Sequence, residues 1–406
     1  MANKPILKKE DQPVPAMRWG ASELESLRRT LEQPSLFYWK NDSTTRLINA
    51  FREHYPHEHV MPVSSGTASI HVALAALDIA SGDEVITTPL TDVGTVIGIL
   101  YQQAVPVFAD IEPDSYNLDP EAVEARITAR TKAILVVHLA GNPSDMDAMR
   151  AIASRHNLFL IEDCAQAWGA RYKGQPVGTI GDVGCYSFND FKHIGCGDGG
   201  IVASDDPRIG PRLQGFADKG YDRGRGLRNP EILGLCYRMS ALQAAVAAVQ
   251  IEERMPVIAE TRHRLGDLLI EGLQDIPGIR PHLIRSDDFC SYWFTMFRLE
   301  SGAFSVSRDG FLKMLVEEGL QAKPGYIPMP LYQCPVFQNA NFFAGHWPLR
   351  ETGLTDMDYR KVSCPEAEAV TDTAVQLEVK EWMTEDYIAL VVQVVRVVAE
   401  RLHRSS

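Results

Sequence analysis

No C-x-x-C pair occurs in the 406 residues, and the seven cysteines, from Cys164 to Cys364, stand far apart. An odd number at wide spacing argues against a disulfide framework or a zinc cluster and for reduced thiols in a cytosolic protein. Long apolar runs are also missing. The most apolar one, 388–399, is interrupted by Gln393 and Arg396, is too short to span a bilayer, and reads as a buried terminal helix. Residues 1–15 lack the apolar core of a signal peptide. Basic charge is scarce: 40 Lys and Arg against 53 Asp and Glu give a net charge of −13. This balance argues against nucleic acid as the main partner, because phosphate contacts need clustered cations. It leaves room for a small anion in a local pocket. No internal repeat or low-complexity stretch is visible. What remains is a cytoplasmic protein of ordinary composition, long enough for two domains.

The order of patterns along the chain sets the fold class. Residues 22–55 read as helical with a break near 33–41. From His59 onward, short β-branched or aliphatic runs alternate with helical stretches. The expected strands are 60–63, 84–88, 105–110, 133–138, 159–162, 183–188 and 200–203. Helices are expected at 67–77 and 146–156. In the first of these, Ile70, Leu74 and Leu77 share one face. Strands alternating with helices imply crossover connections and a mostly parallel sheet in a three-layer α/β/α domain. Beyond a charged helix at 252–264 the pattern changes to a helix near 262–274, strands near 292–299, a helix near 307–318 and a terminal helix capped by Thr384. The division expected is an N-terminal segment 1–21, a large domain 22–254 and a smaller α+β domain 255–406.

Four features in the large domain carry chemistry. Ser64-Ser65-Gly66-Thr67-Ala68 joins a strand to a helix. Helix N-termini present free N–H groups, Gly66 permits close backbone approach and Thr67 adds a hydroxyl, so the turn is either a phosphate cup or a plain N-cap. Glu162-Asp163-Cys164-Ala165-Gln166 follows an aliphatic strand and puts an acid where α/β sheets hold ligands; a salt-bridged strand-end acid is the bland alternative. Ser187-Phe188-Asn189-Asp190-Phe191-Lys192 closes another strand. Its lysine is either a surface residue or, if burial lowers its pKa, an amine able to form a Schiff base with an aldehyde. Gly195-Cys196-Gly197-Asp198-Gly199-Gly200 precedes a strand rather than a helix. It is therefore a turn, not a dinucleotide fingerprint.

Taken together and in this order, the chain resembles the sugar aminotransferase family of fold-type I pyridoxal-phosphate enzymes, in the aspartate aminotransferase superfamily. The matching stretches include SGTASI (65–70), VPVFADIEPDSYNLDP (105–120), IEDCAQAWGARYKG (161–174), VGCYSFNDFKHIGCGDGG (183–200) and YRMSALQAAV (237–246). The resemblance implies pyridoxal 5'-phosphate as cofactor. It also implies Lys192 as the Schiff-base lysine and later proton shuttle, Asp163 as partner of the pyridine nitrogen and Gln166 as neighbour of the ring hydroxyl. Gly66, Thr67, Ala68 and Ser187 would hold the phosphate. It implies a homodimer with shared active sites. Its reaction would move an amino group from L-glutamate or L-glutamine to a keto sugar or keto cyclitol, as in antibiotic and aminocyclitol biosynthesis.

Two positions depart from the family pattern: Asp92 stands where an aromatic often stacks on the ring, and Cys236 where an asparagine helps hold the partner's phosphate. Some relatives are dehydratases with histidine in place of the lysine. Here Lys192 holds that position and His193 follows it, so His193 is expected to be a turn histidine and His138 a packing residue. An aromatising dehydratase of the aminohydroxybenzoate-forming type and a non-catalytic cofactor-binding regulator are the alternatives. Substrate selection is expected at 38–41, 217–236 and 325–332. Arg223, Arg225, Arg228 and Arg238 are the candidates for the donor carboxylate.

Overall fold

The computed structural model describes residues 5–226 and 228–403. Helices α1 (Ala21–Leu31) and α2 (Asp42–His54) precede strand β1 (His59–Val63) and helix α3 (Gly66–Ala76). Then come β2 (Glu84–Thr87), α4 (Gly94–Tyr101), β3 (Val105–Phe108), α5 (Pro120–Ala125), β4 (Thr131–Val137), α6 (Met146–His156) and β5 (Phe159–Asp163). A small hairpin, β6 (Arg171–Tyr172) and β7 (Gln175–Pro176), leads to β8 (Val183–Ser187) and β9 (Gly200–Ser204). The order in the large sheet is β1-β9-β8-β5-β4-β2-β3. Strands β8, β5, β4, β2 and β3 pair in parallel, and β9 runs antiparallel to both β8 and β1. Six strands therefore point one way, and their carboxyl ends share one edge of the sheet. The expected mostly parallel α/β architecture is present, with every expected strand at its place.

Strands β2, β3, β8 and β9 are buried at every position because the sheet is covered on both faces. Helix α3 is buried nearly all round for the same reason, and Gly98 of α4 lets that helix approach it: a Cβ there would lie 3.1 Å from the His71 Cα. After α7 (Leu213–Ala217), helix α8 (Ala241–Val249) passes through a π turn at Gln250–Arg254 into α9 (Met255–Gln274). Pro256 explains the π turn, since it lacks the N–H that would continue the ladder in α register. The two helices expected at 252–264 and 262–274 are thus one, because no residue between them breaks the pattern.

The remainder forms an antiparallel sheet in the order β10-β11-β13-β12, with β10 (Ile279–Pro281), β11 (Thr295–Leu299), β12 (Ala322–Lys323) and β13 (Ala374–Leu377). Helices α10 (Arg308–Glu317) and α11 (Glu385–Leu402) pack on it; the second starts at Thr384, whose side chain accepts from the Tyr387 N–H. A second apolar core joins this sheet to α9, α10 and α11 and takes in Leu7 from the N-terminal segment. Residues 331–374 pack instead against the core of the large sheet. No helix among the described residues is long and apolar enough to cross a membrane.

Candidate active site

The carboxyl ends of β1, β2, β5 and β8 deliver the site. Leaving β1, the chain turns at Ser64–Gly66, and the Ser65 Oγ caps α3 by accepting the Ala68 N–H at 3.0 Å. The turn lies hard against the end of β8. A Cβ on Gly66 would sit 2.7 Å from the Ser187 Cβ, and one on Gly200 would sit 2.4 Å from the Ser65 carbonyl oxygen. Two missing side chains therefore let this helix N-terminus reach the sheet edge. A cavity of about 250 Å³ opens there, lined among others by Gly66, Thr67, Asp92, Asp163, Gln166 and Lys192.

Asp163 ends β5 and is buried. Its Oδ2 accepts from the Thr95 hydroxyl at 2.8 Å and its Oδ1 from the Ala165 N–H at 3.0 Å. Burial raises its pKa, and the two donors and Lys192 counter only part of that rise. Lys192 projects from an irregular loop after β8. Burial lowers its pKa, against the pull of Asp163 and Asp92, and its Nζ lies 3.9 Å from the centre of the Trp293 ring. An amine that gives up its proton more readily is a better nucleophile. Gln166 is fixed at both ends of its amide: Oε1 accepts from the Ala140 N–H at 2.9 Å and Nε2 donates to the Tyr326 hydroxyl at 3.1 Å.

Of the residues nominated from sequence, Gly66, Thr67, Asp163, Gln166, Ser187 and Lys192 line this one cavity. Ala68 is buried beside it, with its N–H taken by Ser65. Asp92 also lines the cavity, and its Oδ1 accepts the Gly94 N–H at 2.7 Å. Cys236 is exposed and faces Asp218 in an isolated bridge. Asp218 is buried, holds Arg223 and Arg238 by salt bridges and accepts from the Tyr38 hydroxyl at 2.7 Å. Arg225 pairs with Asp222 at 3.3 Å.

His193 is buried in its turn with Nε2 at 3.0 Å from the Ser291 carbonyl oxygen, and burial drives its pKa well down, so it stays neutral. His138 accepts the Ser144 N–H at Nδ1, so its Nε2–H donates to Glu162 at 3.0 Å. Both serve the architecture. Cys164 lies with His138 and Glu162 in a buried group. The Glu162 oxygens also accept the N–H groups of Gly178, Ile180 and Gly181. These bonds satisfy the Glu162 oxygens and both nitrogens of the His138 ring.

Sequence reasoning missed Thr95, Trp293 and Tyr326. Tyr326 falls in a segment already singled out, and it is brought in where the Leu331 N–H donates to the Pro89 carbonyl at 2.9 Å. Thr95 stands one helical turn after Thr91, to which it is hydrogen-bonded at 2.8 Å, but nothing local says that it faces Asp163. Trp293 has no local signal, because its place is set by docking of its N–H on the Ala140 carbonyl at 2.8 Å.

The site fits pyridoxal phosphate on three counts. A glycine-dependent cup offers a helix N-terminus and hydroxyls to a phosphate, a buried carboxyl awaits a cationic ring nitrogen, and an amine loosened by burial awaits an aldehyde. Comparison with known proteins points the same way. The profile of the DegT/DnrJ/EryC1/StrS aminotransferase family matches residues 20–396. A Streptoalloteichus tenebrarius protein named as an L-glutamine:3-amino-2,3-dideoxy-scyllo-inosose aminotransferase is 35% identical over 351 residues, 83% of this chain and 82% of its own. The GDP-perosamine synthase of Escherichia coli O157:H7 is 33% identical over 72% of this chain and 79% of its own. The crystal structure of 3-amino-5-hydroxybenzoic acid synthase superposes with a TM-score of 0.85 at 25% identity, covering 98% of this chain and 100% of that one.

Proposed function

The chain belongs to the DegT/DnrJ/EryC1/StrS aminotransferase family and is a pyridoxal-phosphate-dependent aminotransferase of keto sugars or keto cyclitols, and from that premise we propose that Lys192 and Asp163 are its catalytic residues. The observation that carries this is the convergence of a buried acid, a buried amine and a glycine-built cup on one cavity.

Pyridoxal phosphate, when bound, supplies an aldehyde that takes up the amino group and a ring that withdraws electrons from the reacting carbon. The Thr67 and Ser187 hydroxyls and the Gly66 and Thr67 amides would hold the phosphate. Asp163, kept in place by Thr95 and the Ala165 N–H, would partner the ring nitrogen. Gln166, pinned by Ala140 and Tyr326, orients the ring edge. The Nζ of Lys192 would hold the aldehyde and would be the group that carries a proton at the reacting carbon. Trp293 shields that amine from water on one side.

L-Glutamine or L-glutamate is the amino donor, and the acceptor is a keto cyclitol or keto sugar of a biosynthetic pathway such as that of an antibiotic. The active unit is a cytoplasmic homodimer. Leu233, 93% exposed, and Leu235, also exposed, support a subunit contact through the 217–236 loop. The test is a half-reaction followed by absorbance of the cofactor-loaded protein. Bleaching of the visible band by L-glutamine or L-glutamate, lost in Lys192→Ala, is the expected result. A band that both donors leave unchanged, or a Lys192→Ala variant that still reacts at the wild-type rate, would overturn the reading. An aromatic product from a cyclic keto substrate would instead identify the dehydratase chemistry.

A further inference from the structure

The loop carrying Lys192 has no regular secondary structure, yet its carbonyl groups are not left to solvent. The Trp293 indole N–H donates to the Phe191 carbonyl at 2.6 Å. The Arg18 Nη2 donates to the carbonyls of Lys192, at 2.6 Å, and of His193, at 3.3 Å. The Trp19 indole N–H donates to the Gly195 carbonyl at 3.3 Å. Two of these three side chains come from a short N-terminal stretch that lines no part of the cavity. That stretch is anchored at both ends. Leu7 is buried in the second core, with its N–H on the Glu318 carbonyl at 3.0 Å, and α1 begins at Ala21. In between, Gln250 in the π turn donates to the Arg18 carbonyl at 3.0 Å and to Glu23 at 2.8 Å, while its own oxygen accepts the Gly195 N–H at 3.5 Å. The π turn thus ties the strap to the lysine loop from behind.

We propose that Arg18 is a positioning residue for catalysis, its guanidinium fixing the backbone of Lys192 and His193 so that the lysine amine projects into the cavity in one orientation. The proposal rests on the reading of Lys192 as the cofactor lysine. A backbone carbonyl without a partner at a buried turn costs free energy, so removal of Arg18 lets the loop relax toward water. A displacement of the reacting amine by about 1 Å is enough to cost up to about 100-fold in rate. Arg18 touches no reacting atom, so substrate binding is not its task.

The test compares Arg18→Ala, Arg18→Lys and Trp19→Phe with the wild type. In cofactor-free protein, hydrogen–deuterium exchange is read over residues 186–197. In loaded protein, the pH titration of the visible cofactor band and the kcat and KM of the L-glutamine or L-glutamate half-reaction are read. The expected result is faster exchange at 190–195 in Arg18→Ala, a shifted titration and a kcat lower by about 10- to 100-fold with KM nearly unchanged. Arg18→Lys, which reaches one carbonyl rather than two, is expected to fall between, and Trp19→Phe to loosen the loop only at Gly195. Unchanged exchange and an unchanged titration in Arg18→Ala would overturn the proposal. So would a variant that raises KM alone. Lys192→Ala run alongside separates the two levels: if it keeps activity the parent reading fails, whereas if it is dead while Arg18→Ala behaves as wild type only the positioning role fails.

Discussion

Asp163 and Lys192 share one buried site, and burial works against the charge of each. Burial favours the protonated acid and the neutral amine, and each opposes that tendency in the other. For Asp163 the sign has a consequence. A carboxyl with a native pKa above its unfolded value holds its proton longer when folded, so stability falls as pH rises through that window. At neutral pH, above the ordinary aspartate range, this raised native pKa therefore costs the cofactor-free protein stability. Asp163→Asn is expected to raise the melting temperature of cofactor-free protein at pH 7, by a margin that narrows toward acid pH, while weakening cofactor retention on a desalting column. An Asn variant that melts lower and retains cofactor equally would contradict both roles. The acid ends a strand, and the cup glycine and the lysine stand in the turns that follow one, so the sequence offered all three as candidates. Thr95 and Trp293 were not, because a helix face and a docked loop decide what they meet.

At the scale of elements, two joints decide whether the strand ends meet. The first is the contact of the β1–α3 turn with β8. Gly66→Ala puts a methyl group within 2.7 Å of the Ser187 Cβ, which forces the cup off the sheet edge. Overpacking of this kind costs about 1–3 kcal/mol. The expected outcome is a lowered urea midpoint together with weaker cofactor binding by equilibrium dialysis. The second joint is Glu162 in β5, which gathers three N–H groups of the 178–181 turn and the His138 ring. Burial works to raise its pKa, but His138 and the backbone donors win and lower it. Its contribution is therefore present above the ordinary carboxylate range and lost as pH falls through the native value. Glu162→Gln places an amide nitrogen against N–H donors and should destabilise by about 1–3 kcal/mol in chemical denaturation. A loss confined to activity, with stability intact, would show that the pair serves chemistry instead. The seven strands of the large sheet were visible in the chain as β-branched or aliphatic runs, whereas β6, β7, β10, β12 and β13, each two to four residues long, left no such run. The single long helix at 255–274 was read as two, since its charge pattern changes within one element while Gly266 makes room for the Tyr292 ring.

For the whole molecule, the subunit contact is the open quantity. Leu233 and Leu235 stand in solvent next to a loop pinned by Asp218, and that loop carries Arg223 and Arg238. On the proposed homodimer, Leu233→Glu is expected to shift the protein from dimer to monomer in sedimentation velocity and to lower activity in parallel. A variant that stays dimeric would move the interface elsewhere.

The residue types, their order and the alternation of strand and helix determined the fold class and offered the candidate lysine and acid, because those depend on local pattern and on spacing along the chain, while the cofactor followed from the family resemblance that these motifs carry. Tertiary structure alone decided what surrounds the amine. Arg18, Trp293 and Tyr326 reach the site from segments 102–174 residues away in the chain, or through the docking of one loop on another. A side chain's partner across such a distance is fixed by how the cores pack, and no local periodicity records it.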